Sequence, residues 1–249
     1  MSGIVYLFCS SIGRKLLMAA TGILLLGFAI AHLAGNLLIF REPDVINGYA
    51  QFLHALGPTL WLARLVLLLG AAIHIWAAVA LALENIRARG PQPWKTTWLQ
   101  ATFQSRTMQL TGVVVLAFLF YHLAHFSFGM VQADSFKGSL APHTMKADFH
   151  FMGFVAVREG ERVPDVYSMI VRGFEPTVVS AFYLVAIGLL SLHVLHGIES
   201  SCQTFGVGNA RFQRRVRVSG AVFCVTYFLG SVSIPAAVQL GILNLRPDG

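Results

Sequence analysis

The chain has 249 residues, of which 56% are hydrophobic and only 12% charged, with a mean hydropathy of +0.67. A soluble globular domain typically carries about twice that charged fraction, so composition argues against one large water-soluble core. The net charge of +7 comes without a basic cluster interleaved with aromatics, which gives no footprint for nucleic acid. Cys9, Cys202 and Cys224 are odd in number and form no CxxC, so neither a disulfide framework nor a zinc or iron–sulfur site is indicated.

A membrane-crossing helix needs roughly 20 apolar residues at about 1.5 Å rise each. Five windows qualify: about Leu16–Phe40, Thr59–Leu83, Thr107–Val131, Pro176–Ser200 and Val218–Leu240. The expected fold is an all-α integral membrane protein, a single domain over residues 1–249 whose first four spans form a bundle. Arg14 and Lys15 precede a full-length apolar run, and no small-residue cleavage site follows a short one, so the start does not read as a cleaved leader.

The joints between spans differ in charge. Arg14 and Lys15 precede the first span; Arg87, Arg89, Lys95 and Arg106 lie between the second and third; Arg211, Arg214, Arg215 and Arg217 lie between the fourth and fifth. The joints at 41–58 and 132–175 are mixed or acidic. The positive-inside rule therefore predicts a cytoplasmic N-terminus and an outward C-terminus. Gly90-Pro91-Gln92-Pro93-Trp94 reads as a turn, with Trp94 and Trp98 near the interface. The long outer joint, too long for a turn, is expected to pack as a cap with short helices. Pro235 is a candidate kink in the last span. No internal repeat or low-complexity segment stands out.

Four consecutive spans each carry a histidine: His32, His74, His122 and His193. An imidazole in hydrocarbon is costly and calls for a partner, a cavity or a cofactor. His32 lies about 24 Å along the first span and His122 about 22 Å along the third, both near the outer side. His74 lies about 15 Å and His193 about 10 Å from the inner ends of their spans. The four thus fall into two depth-matched pairs, His32 with His122 and His74 with His193. Facing side chains in a helical bundle cradle a flat cofactor, and neutral imidazole is an axial ligand for haem iron. One such histidine alone reads equally as a helix-bridging hydrogen bond or part of a proton path. The pairing is what favours two haems.

Depth does not choose between His122 and His125, or between His193 and His196, since each pair is i, i+3 on one face. Gly27, Ala31, Ala34, Gly35, Gly70, Ala71, Ala72 and Gly197 flank the histidines and offer room for a macrocycle, or equally close helix packing. His54, His143 and His150 fall in the outer joints, where surface roles are the default.

The segments AHLAGN around His32, AIHIWAA around His74, FYHLAHF around His122 and LHVLHGIESSCQTFG around His193, in this order and followed by a histidine-free fifth span, resemble the single-chain, two-haem cytochrome b anchor of succinate dehydrogenase and fumarate reductase. The resemblance covers essentially the whole chain. It implies two haem b groups, an outer one on His32 and His122 and an inner one on His74 and His193. It favours His122 over His125 and His193 over His196. It also implies a flavoprotein subunit, an iron–sulfur subunit docked on the cytoplasmic face, a quinone (menaquinone in many two-haem members) and a place in the lipid of the cytoplasmic membrane, within a respiratory chain.

Arg172, before the fourth span, matches a basic residue of the family that pairs with outer propionates; Arg14 and Arg106 are inner counterparts. The acidic quinone-site residue of some members is missing, leaving Tyr49, Gln51 and His54 as nearby polar candidates. The glutamate some members carry two residues before the fourth-span ligand is Ser191 here, which puts that proton path in doubt. The rival readings are the di-haem anchor of another respiratory oxidoreductase and a haem-free transporter with a histidine proton relay.

Overall fold

The computed structural model describes residues 3–89, 103–206 and 209–245. The turn predicted at Gly90–Trp94, together with Lys95 and Trp98, lies outside the described residues, as does the side chain of Arg106.

A short helix, α1 (Gly3–Cys9), precedes α2 (Ser11–Asn36), which ends in a 3-10 turn over Leu37–Phe40. Then come α3 (Pro43–Ala55), α4 (Pro58–Arg89), and α5 (Phe103–His122) closed by a π turn over Leu123–Ser127. A 3-10 turn at Ala133–Ser135 leads into four short strands: β1 (His143–Thr144), β2 (Phe149–Phe151), β3 (Phe154–Val157) and β4 (Arg162–Val163). The chain finishes with α6 (Val166–Phe174), α7 (Thr177–Thr204) and α8 (Ala210–Gln239).

Five stretches are long and apolar enough to cross a membrane: Ser11–Phe40, Pro58–Ala88, Thr107–Ser127, Thr177–Thr204 and Ala210–Gln239. They match the five predicted windows, and they leave large apolar side chains such as Leu68, Leu110, Phe120, Val185 and Val225 exposed. Such surfaces suit lipid, where a helix satisfies its own backbone polar groups. The protein is an all-α, multi-pass membrane protein. Helix α8 runs on through Pro235, which is fully buried.

The chain forms two compact units. The first comprises residues 1–30, 63–113 and 190–226, and so holds portions of α2, α4, α5, α7 and α8. Here α4 lies close on α2: a Cβ at Gly70 would sit 2.8 Å from Leu24. Arg14 pairs with Glu84 across the same two helices, and Ser11 Oγ donates to the other oxygen of Glu84 at 3.0 Å. Arg217 of α8 lies 3.3 Å from Glu199 of α7.

The second unit comprises residues 31–62, 114–189 and 227–249. Its main core joins Ile39, Ile46, Tyr167, Ile170, Val171, Phe174, Tyr183, Ile187, Ile234 and Val238. Helix α3 starts with Glu42 at the N-cap and Pro43 in the first turn, where proline's missing N–H costs nothing. Gly57, at φ +52°, ends it in the left-handed conformation glycine tolerates best, and Pro58 starts α4.

The long joint holds the expected short helices, the 3-10 turn at Ala133–Ser135 and α6, and between them a β part. Strand β1 pairs with β4, and β2 with β3, both antiparallel. The second ladder turns on Met152 and Gly153, both at positive φ, the conformation a two-residue hairpin turn requires. A small core of Met145, Phe149, Val157 and Val163 packs against Val45, Tyr49 and Phe52 of α3. Alternating apolar residues at Phe149/Phe151 are what make these short segments strands; they are too short to register as a period in the sequence.

Asn47 ties this cap to α6. Completely buried, its Oδ1 accepts from Val166 N at 2.8 Å and Tyr167 N at 2.9 Å, two of the donors a helix N-terminus leaves unpaired. Asp165 takes a third as N-cap, accepting from Ser168 N at 2.9 Å. Asp44 holds the neighbouring loop, its carboxylate 2.5 Å from His143 Nε2 and accepting from Lys146 N at 2.9 Å.

Candidate functional site

The four span histidines divide between the units by the predicted pairs. His74 and His193 belong to the first, His32 and His122 to the second.

In the second unit the rings of His32 and His122 meet edge to face, with centroids 5.7 Å apart and planes at 86°. His32 Nε2 lies 3.1 Å from Asn36 Nδ2, one turn along the same helix. An amide N–H donating there requires a lone pair on Nε2, the same lone pair a metal would use. His122 Nδ1 is 3.4 Å from the hydroxyl of Tyr183, which also lies 3.2 Å from His125 Nδ1. Tyr183 thus joins the two histidines of the third span. His125 is buried and stacks on Phe126 at 3.9 Å between centroids; its Nε2 has no hydrogen-bond partner among the described residues. Of the i, i+3 alternatives, His122 is the one whose ring meets His32. The π turn at Leu123–Ser127 holds His125 apart, its ring directed at Tyr183 and Phe126.

His74 and His193 lie in the first unit, together with His196. His74 Nδ1 is 3.1 Å from Met18 O and 3.2 Å from Thr21 Oγ1, both on α2. His193 Nδ1 is 3.4 Å from Thr111 Oγ1 on α5. Among the described residues Nε2 of each keeps no protein partner. A Cβ added at Gly22 would stand 3.3 Å from His74 Cε1, and one at Gly112 3.5 Å from His193 Cε1. The glycines that back His74 and His193 are therefore Gly22 and Gly112, and Gly173 backs His125, whereas Gly27 and Gly197 face open space and Gly35 meets the Tyr49 ring.

This shared seat exposes a repeat that the sequence reading passes over. Met18–Ala34 and Met108–Ala124 both follow M-x2-T-G-x3-L-x-F-x3-H-L-A. Both segments are short and almost wholly apolar, so leucine-rich background hides the match until Thr-Gly is seen to do the same thing twice. Thr21, Gly22, Thr111 and Gly112 are the site residues that reasoning from histidines alone missed; the spacing from Thr-Gly to His-Leu-Ala was the available signal.

The remaining candidates are less engaged. Arg172 is exposed in the last turn of α6, in the same unit as His32 and His122. Cations there also suit the helix dipole. Arg14 is committed to Glu84, to the backbone oxygens of Phe8 and Cys9, and to the face of Trp76 at 6.0 Å. Tyr49, Gln51 and His54 all lie on α3, with His54 Nε2 3.5 Å from Lys137 Nζ. Ser191 is buried in α7.

Among the described residues no group of three or more His, Cys, Asp or Glu side chains could hold a metal. His32 with His122, and His74 with His193, would each offer two imidazoles to a haem iron. Comparison of the chain with family models, with curated proteins and with solved structures returns no match.

Proposed function

We propose that the chain is the di-haem cytochrome b anchor of a succinate:quinone oxidoreductase, the membrane subunit of a succinate dehydrogenase or fumarate reductase. The observation that carries this reading is the sorting of four span histidines into two pairs, one pair in each compact unit. His32 and His122 would hold one haem b, His74 and His193 the other. When bound, the haems supply one-electron redox chemistry between an iron–sulfur subunit and a membrane quinone, menaquinone in the favoured form. Dicarboxylate chemistry would belong to a flavoprotein partner; this chain carries neither a dinucleotide fingerprint nor a cysteine cluster. The chain's own work is to bind, orient and enclose: imidazoles offer lone pairs, threonine and tyrosine hydroxyls hold the rings, and Arg172 is a candidate partner for a propionate. The cytoplasmic membrane is the expected location, with the basic joints inward.

The purified complex should show a reduced b-type spectrum with two haems per chain by pyridine haemochrome assay. His32→Ala and His122→Ala should remove one haem, His74→Ala and His193→Ala the other. Single substitutions that leave both haems in place would refute the ligand assignment. The hydrogen-bonded series His122–Tyr183–His125 favours a second reading, a haem-free proton relay, which predicts a colourless protein.

A further inference from the structure

We propose that Thr21 and Thr111 are positioning residues: each hydroxyl oxygen accepts a hydrogen bond from Nδ1–H of the histidine packed against it, His74 or His193, and thereby turns that histidine's Nε2 lone pair toward haem iron. The inference rests on reading these two histidines as axial ligands, and adds what orients them.

A hydroxyl has one proton to give and two lone pairs to receive with. Thr21 Oγ1 lies 2.7 Å from Leu17 O and 3.2 Å from Met18 O, and carbonyls only accept. The Thr21 proton is thus spent on its own helix, and what faces His74 at 3.2 Å is a lone pair. His74 Nδ1 must then carry hydrogen. Met18 O, 3.1 Å from the same nitrogen, demands it independently. Thr111 repeats the logic: its hydroxyl donates to Met108 O at 3.0 Å and accepts from His193 Nδ1 at 3.4 Å. A neutral imidazole protonated at Nδ1 has its lone pair at Nε2. An outer-shell acceptor of this kind fixes the tautomer, holds the ring and raises its basicity toward the metal.

The glycine that follows each threonine completes the seat. A Cβ added at Gly22 would already crowd the His74 ring edge and one at Gly112 would touch that of His193, so a larger side chain would displace either ring. The same dipeptide stands at the same point of both copies of the repeated segment, and each copy also carries, beyond its Thr-Gly, a histidine of the other pair. One sequence unit used twice therefore seats one pair and supplies the other. The copies are not equal. His74 has two acceptors, Thr21 and Met18, while Thr111 is the one acceptor the described residues provide for His193.

The test is a potentiometric titration of the haem spectra in the purified complex. A more basic imidazole favours ferric iron, so Thr111→Val should raise the midpoint potential of the His74/His193 haem. Loss of such an outer-shell partner shifts metal binding by about tenfold or more. A tenfold shift in the one-electron equilibrium corresponds to about 59 mV. The other haem should keep its potential, and Thr111→Ser, which keeps the hydroxyl, should restore the first. Thr21→Val, with Met18 O still in place, should shift the same haem in the same direction by less. Valine and serine variants that behave alike, a shift confined to the other haem, or two haems with unchanged potentials in both valine variants would overturn the proposal while leaving the cytochrome reading intact. A wild-type complex without haem would instead overturn the cytochrome reading on which it rests.

Discussion

His193 rests against the hydroxyl of Thr111, whereas His122, further along the same helix as that threonine, stands among the rings of Phe118, Phe126 and Tyr183. The first unit has little apolar interior: among the described residues its buried hydrophobics are Ala19, Ala77, Leu81 and Cys224. Thr–His hydrogen bonds and the partly exposed Arg14–Glu84 and Arg217–Glu199 pairs cross between its helices. The second unit has a continuous core of aromatic and branched side chains, and a cap of α3, α6 and four strands. The same repeated segment thus serves both environments. Where lipid-facing helices offer few apolar contacts to one another, small polar residues do the orienting; where a cap adds a core, aromatic packing shares the work.

The comparison can be broken most severely at the glycines. Gly22→Leu puts a branched side chain where even an added Cβ would stand 3.3 Å from the His74 ring, and in the proposed cytochrome should abolish the haem of that pair while sparing the other, read as half the haem per chain. Next, Asn47→Ala removes the buried amide oxygen shared by Val166 N and Tyr167 N, although Val166 N keeps Pro164 O at 3.0 Å. At about 1–3 kcal/mol for the buried bonding lost, it should lower the melting temperature and expose the 132–175 segment to protease. Asn47→Asp keeps the acceptor but sets a second carboxylate against Asp165, to which the Asn47 amide donates at 3.4 Å, so it should be no milder. Tyr183→Phe removes the hydroxyl shared by His122 and His125 and should cost about 1–3 kcal/mol. It should alter the spectrum of the His32/His122 haem alone; an equal change in both haems would contradict the division into units. The smallest effect is expected from Glu84→Gln. The Arg14–Glu84 pair is partly exposed, and such pairs contribute about 0–1 kcal/mol, so haem content should stay unchanged within error.

Sequence and structure meet most closely along the spans. Apolar windows of about 20 residues predict five helices because a backbone in lipid has few other ways to satisfy its polar groups. Depth along those helices was enough to pair His32 with His122 and His74 with His193, since rise per residue is nearly constant. A cap was expected from the length of the joint, but its β part was not legible. Its strands are two to four residues long, and Asn47, an ordinary polar residue in a joint, gives no sign that it closes the N-terminus of a helix more than a hundred residues later. The Thr-Gly step was present in the sequence but silent, because a threonine in an apolar helix more often bonds its own backbone.

Composition and the spacing of histidines by themselves determined a five-span membrane protein with paired imidazoles. Both follow from local rules, the length a helix needs and the rise it makes. Only the tertiary structure decided which nitrogen of each histidine meets a neighbour, which glycines seat the rings, and that His122 rather than His125 meets His32. Those choices depend on which helix lies against which, and side-chain orientation is set by the partner surface, not by position along the chain.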